Sequence, residues 1–228
     1  IQQKQRLFIR ETAPEKKSYR FWSLLDVSGS MSGEKQQETE KGFIIAGEAL
    51  DRVEDLNSDT IDIRQGITAF HNRVFPYKGL SERFTKKTED NLSTMAERVT
   101  DHDSGTNTYE ATVFALENLK TNLGETGNYV LTFSDGEPNY QVRDQLQELL
   151  KEGKEDRMKQ KVKVGLIWLG ESEDEQQLQE LVKEYGYDFG LVMSAVKPSE
   201  QEKGKGKKDF STALAELMED LVENPDKY

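Results

Sequence analysis

Apolar and polar positions change period repeatedly along the chain, and each change marks an element. Tyr19 to Asp26 is a short, nearly continuous apolar run, the pattern of a parallel strand buried on both faces. From Lys35 to Asp55 the spacing becomes helical, with Ile45, Ala49, Leu50, Val53 and Leu56 on the expected apolar face. Thr60 to Phe70 alternates and is β-branched, and Arg73 to Tyr77 adds a short strand containing Pro76. Proline cannot donate to a ladder, so this strand is expected at an edge, joined to its predecessor by an antiparallel hairpin turning at Asn72.

Helical spacing returns over Glu89 to Val99 and over Asn107 to Leu119, the latter opening with Asn107 and Glu110 at capping-box positions. The remaining elements are a strand at Tyr129 to Phe133, a helix at Gln141 to Lys151, and a strand at Val162 to Leu169. A helix over Glu173 to Tyr185, stopped by Gly186, leads to a strand at Asp188 to Met193. An amphipathic helix at Phe210 to Val222 closes the chain, with Leu214, Leu217, Met218 and Leu221 as its packing face. Strands alternating with helices imply a mostly parallel sheet between two helical layers, an α/β sandwich. A polar lead-in over residues 1–18 precedes a single domain over 19–228, with no internal repeat and a mobile excursion expected at Ser194 to Asp209.

Candidate chemistry sits where the strands run out. Asp26-Val27-Ser28-Gly29-Ser30 places one carboxylate and two hydroxyls at the C-terminal end of the first strand, where open α/β sheets hold their ligands. Gly105-Thr106-Asn107-Thr108 opens a helix, and Ser134-Asp135-Gly136-Glu137 closes a strand. Taken singly, Ser28 and Ser30 suit a helix N-cap or turn, Asp135-Gly136 suits a turn, and Thr106 could merely precede the cap Asn107. Together they offer hard oxygen donors, which suit Mg²⁺, Mn²⁺ or Ca²⁺ rather than zinc or copper.

These three segments in this order resemble the metal-ion-dependent adhesion site of the von Willebrand factor A (VWA) family, whose pattern is DxSxS, then a Thr in a Gly-Thr loop, then an Asp before a Gly. The resemblance implies a doubly wound three-layer sandwich with six strands in the order 3-2-1-4-5-6, strand 3 antiparallel. It implies that Ser28 and Ser30 bind the ion directly, that Thr106 binds directly or through water, and that Asp26 and Asp135 act through water. An ion held by few carboxylates stays electrophilic and can accept a Glu or Asp from a partner protein. Gly29 and Gly105 are expected to permit tight loops beside the ion. Glu137 has two readings, an outer-shell or partner contact and a residue favouring the next helix start. Glu34, preceded by Gly33, does not make the paired acidic pattern of a second metal site.

Within the family, Leu24 to Met31 and Thr132 to Asn139 resemble the intracellular proteins that work with AAA+ ATPases, among them MoxR-associated proteins and chelatase subunits. That implies a MoxR-type ATPase, or a component it remodels, as partner, and a cytoplasmic protein without enzymatic activity of its own. Two readings compete: an extracellular adhesion-type VWA domain, and a metal-dependent hydrolase. The second lacks an obvious general base, since His71 falls in the predicted hairpin and His102 lies between Asp101 and Asp103. A phosphate loop is excluded by spacing, because three residues separate Gly29 from Gly33 and Glu34 intervenes before Lys35.

Composition narrows the rest. With no Cys among 228 residues, a disulfide framework and a thiol nucleophile are both excluded. A formal charge of −12 argues against nucleic acid as the main partner, and the single basic cluster, Lys203 to Lys208, is spaced by Gly like a surface loop. No apolar run approaches the roughly 18 residues needed to span a bilayer. No signal-peptide pattern is present, and a start at Ile1 rather than Met suggests a trimmed chain whose upstream targeting is open.

Overall fold

The computed structural model describes residues 15–94, 105–195, 208–225 and 227–228. Six strands form one sheet in the order 3-2-1-4-5-6: β1 (Lys17–Asp26), β2 (Ile61–Phe70), β3 (Val74–Lys78), β4 (Gly127–Ser134), β5 (Val162–Leu169) and β6 (Phe189–Met193). All neighbours pair in parallel except β2 and β3, an antiparallel hairpin that puts Pro76 on the edge strand as expected. The strand order reverses between β1 and β4, so the crevice at their C-terminal ends is the topological switch point.

β1 is apolar on successive residues because helices cover both faces of the sheet. Tyr19, Phe21 and Leu25 pack into one core with Phe43, Phe133, Phe210, Leu214, Met218 and Leu221. Trp22 and Leu24 face the other core, with Ala111, Ala115, Leu119, Leu146, Leu150 and Leu178. The first layer is built by α1 (Glu34–Leu56) and α7 (Phe210–Glu223), and the second by α3 (Thr108–Lys120), α4 (Arg143–Glu152) and α6 (Glu175–Tyr185). Two shorter helices, α2 (Lys86–Ser93) and α5 (Lys154–Lys159), complete the described α-helices; α5 carries too few apolar residues to show a period in the sequence.

Local chemistry explains the ends. Gly186 stops α6 in the left-handed conformation, φ +86°, which favours glycine. Asn107 caps α3 by accepting from the Glu110 N–H at 3.1 Å. The Tyr19 and Tyr129 hydroxyls donate to the Val222 and Leu221 carbonyls, satisfying two orphan groups of the last turn of α7 and pinning it to the sheet.

The apolar face expected for α1 is displaced. Ile45, Val53 and Leu56 are exposed, while Phe43, Ala46, Gly47 and Leu50 are buried together with the polar Gln36, Thr39, Glu40 and Glu54. The reason is that α1 packs against α7 as well as the sheet, and Gly42 lets the Phe210 ring approach so closely that a Cβ there would stand 2.4 Å from it. Residues 95–99 of the expected second helix, residues 196–207 of the excursion, most of the basic cluster, His102 and residues 1–14 of the lead-in lie outside the described residues. Among the described residues no helix is long and apolar enough to cross a membrane.

At the hairpin edge, the buried Lys78 ammonium donates to the Gln65 carbonyl at 2.6 Å and to that of Glu82. Burial lowers its pKa below 10.5, against the pull of Asp51 and Glu82. Between the folded value and 10.5 the unfolded chain therefore binds the extra proton, so this group's contribution to stability rises with pH across that window. Unfolding midpoints of the wild type relative to Lys78→Met are expected to climb as pH approaches 10.5 from below; a flat difference would contradict the shift.

Candidate metal centre

The site is assembled from the residue that ends β1 outward. Asp26 is only 1% exposed, and both its oxygens are engaged: Oδ1 accepts from the Ser28 N–H at 2.8 Å and Oδ2 from the Ser134 hydroxyl at 2.5 Å. Burial pushes the Asp26 carboxyl above the usual carboxylate range, the hydrogen bonds from Ser134 and Ser28 oppose the rise, and the charge of Asp135 adds to it. Ser28 is extended, and the chain then makes a single 3₁₀ turn over Gly29–Met31 that the buried Met31 side chain anchors. The Ser28 hydroxyl makes no capping bond to that turn, which removes the N-cap reading for it. It lies instead 3.2 Å from the Ser30 hydroxyl.

The Ser30 hydroxyl donates to Asp135 Oδ1 at 2.6 Å, across 105 positions of sequence. Asp135 Oδ2 accepts from the Lys35 ammonium, also at 2.6 Å. The structure thus joins Asp26, Ser28, Ser30 and Asp135 in one polar cluster at the switch point. The tight geometry expected at Gly29 falls on Gly33, whose φ of +87° and ψ of −132° turn the loop into α1 and deliver Lys35 to the cluster. A Cβ at Gly29 would meet open space, whereas one at Gly105 would stand 3.4 Å from Asn139 Nδ2.

Thr106 is held nearby through the backbone. Its carbonyl accepts from the Asn139 N–H at 3.1 Å, and the following Asn107 N–H donates to the His71 carbonyl at 2.6 Å. These bonds tie the Gly105-Thr106 loop to the residue after β2 and to the loop after β4; they are backbone bonds and leave the Thr106 side chain apart from the hydrogen bonds that join the other four residues. Glu137 is exposed, accepts from Gln177 Nε2 at 3.3 Å, and precedes the first turn of α4. It therefore sits toward α6 and outside the first turn of α4, where Asp144 is the acidic residue.

Two participants escaped the sequence reading. Ser134 stands out in sequence only as the residue before Asp135, yet its hydroxyl orients Asp26 and it also closes the Gly136 turn. Lys35 reads as the start of a helix, and only the fold brings its ammonium onto Asp135. His71 is buried, its Nδ1 accepts from the Asn72 N–H, and its ring packs against Phe75, so it does not offer a base to the rim.

The donor set fits a hard divalent cation. Among the described residues no three Asp, Glu or His side chains cluster, so a carboxylate-rich cage is absent there. What converges is hydroxyl oxygen backed by two oriented carboxylates, one of which already pairs with the Lys35 ammonium.

Comparison with known proteins supports the fold. No protein-family model matches the chain, and no curated protein matches it by sequence. The SpRpn10 VWA domain superposes with a TM-score of 0.52 at 15% identity, over 86% of this chain and 93% of that one. Proximal thread matrix protein 1 from the mussel byssus gives 0.51 at 14% identity; the match covers 92% of this chain but only 47% of the mussel protein. An aerotolerance-related membrane protein from Bacteroides fragilis, a form with multiple mutations to serines, gives 0.50 at 13% identity over 83% and 96% of the two chains. The architecture is that of a VWA-like α/β sandwich.

Proposed function

We propose that the chain is a divalent-metal-dependent protein-interaction module, binding Mg²⁺ (with Mn²⁺ or Ca²⁺ as substitutes) and docking an acidic residue of a partner protein. The observation that carries this reading is the convergence of Asp26, Ser28, Ser30 and Asp135 on one rim from loops more than 100 residues apart. Ser28, Ser30 and Thr106 would hold the ion, and Asp26 and Asp135 would support it from outside. When bound, the ion would supply an electrophilic position for a carboxylate oxygen.

The chain's own residues prepare that position. Ser134 and the Ser28 N–H fix Asp26, so its charge is aimed at the rim without rotamer freedom. Ser30 donates its proton to Asp135, leaving hydroxyl lone pairs for a cation. Binding without catalysis is the reading we favour, because His71 is buried and committed to Asn72. The sequence resemblance to MoxR-associated proteins makes a MoxR-type AAA+ ATPase, or a component it remodels, the proposed partner, and the cytoplasm the proposed location.

The test is a displayed-peptide selection against the immobilised chain in Mg²⁺ and in EDTA. Peptides enriched in Mg²⁺ are expected to share a Glu or Asp whose replacement by Gln or Asn abolishes capture, and to be lost in EDTA. Binders indifferent to EDTA and to that replacement would contradict metal docking.

A further inference from the structure

The Lys35 ammonium lies inside the proposed metal centre, 2.6 Å from Asp135 Oδ2, and the Asp135 side chain is only 3% exposed. The same carboxylate receives the Ser30 hydroxyl on its other oxygen, so Lys35 and the hydroxyl cluster share one group. Two carboxylates against one ammonium leave the cluster with one net negative charge when both are ionised. A divalent ion converts that to one net positive charge; without Lys35 the loaded centre would be neutral.

We propose that Lys35 sets the charge of this centre, weakening its hold on the divalent ion while keeping the loaded site positive enough to attract a partner's carboxylate. This rests on the reading of the cluster as a metal centre. The lysine is placed for this role by Gly33, which swings the chain into α1 so that its second residue points back over the loop. At an effective dielectric of about 20, two charges a few ångströms apart interact by more than the thermal energy, so one full charge beside a divalent ion shifts its affinity measurably. A lysine serving only to position Asp135 would act in the opposite direction, because its loss would loosen Asp135 and weaken the ion.

The experiment compares the wild type, Lys35→Met and Lys35→Arg. Calorimetric titration of the EDTA-treated chains with Mg²⁺ is expected to show roughly tenfold tighter binding in Lys35→Met, with Lys35→Arg close to the wild type. Acetate added to the Mn²⁺-loaded chains, followed by water-proton relaxation, is expected to bind several-fold more weakly to Lys35→Met. Thermal unfolding in EDTA should show Lys35→Met losing stability that Mg²⁺ restores, since its buried Asp135 then lacks a cation until the ion arrives. Equal or weaker Mg²⁺ binding in Lys35→Met, or equal acetate binding, overturns the charge-setting role. Absence of Mg²⁺ binding in the wild type and both variants, each folded by circular dichroism, would instead overturn the metal reading beneath it.

Discussion

Asp26→Ala is expected to weaken Mg²⁺ binding by on the order of 100-fold, while circular dichroism shows the sheet still folded. Asp26 is engaged on both oxygens, by the Ser28 N–H after β1 and by the Ser134 hydroxyl at the end of β4, so its loss removes charge and orientation together. The Ser134 hydroxyl would keep only its bonds to the Gly136 turn and the Ser28 N–H would turn to water, which loosens the loop carrying Ser28 and Ser30. Asp26→Asn separates the two effects, since the amide can still accept one of those bonds without the charge. Calorimetry on all three chains checks this. Wild-type affinity in a folded Asp26→Ala chain would show that this carboxylate has no part in ion binding.

Phe43→Ala is expected to cost about 3–5 kcal/mol of stability, the range of a fully buried aromatic lost from a core. Phe43 is fully buried, meets Phe133 edge-on at 4.8 Å between centroids and lies 6.2 Å from Phe210. It therefore joins α1, β4 and α7 in one contact. Ile45, two residues away and 43% exposed, should cost under about 0.5 kcal/mol when replaced by Ala. Urea unfolding of the two variants checks both values. Similar losses at the two positions would mean that α1 is rotated relative to this structure.

That pair also shows where sequence reasoning stopped. The strands were legible because burial on both faces leaves a chemical mark, and Val162–Leu169 falls on the residues expected of it. The order of strands came from the resemblance carried by three short loops, and the pairing registers agree with it. The rotation of α1 was not legible, because Ile45, Ala49 and Val53 form as good an apolar arc as the one centred on Phe43. Only the approach of Phe210 over Gly42 decides between them, and that contact spans 168 positions.

The site divides along the same line. Asp26, Ser28, Ser30 and Asp135 are close to one another, as their order and chemistry implied, since each ends a strand or begins the loop after it. Ser134 and Lys35 act through contacts that cross the sheet's switch point, and neither residue type announces such a role in isolation. The helix-start reading of Glu137 fails because the turn after Asp135 runs on through Asn139 before the helix begins, which leaves Glu137 beside Gln177.

The central claim is that this cluster binds a divalent ion, and the most direct measurement is calorimetric titration of the EDTA-treated wild-type chain with Mg²⁺, repeated with Mn²⁺ and Ca²⁺. One saturable site is expected, lost or strongly weakened in Asp26→Ala. A folded wild-type chain that takes up none of the three ions, or binds them equally well without Asp26, would contradict it.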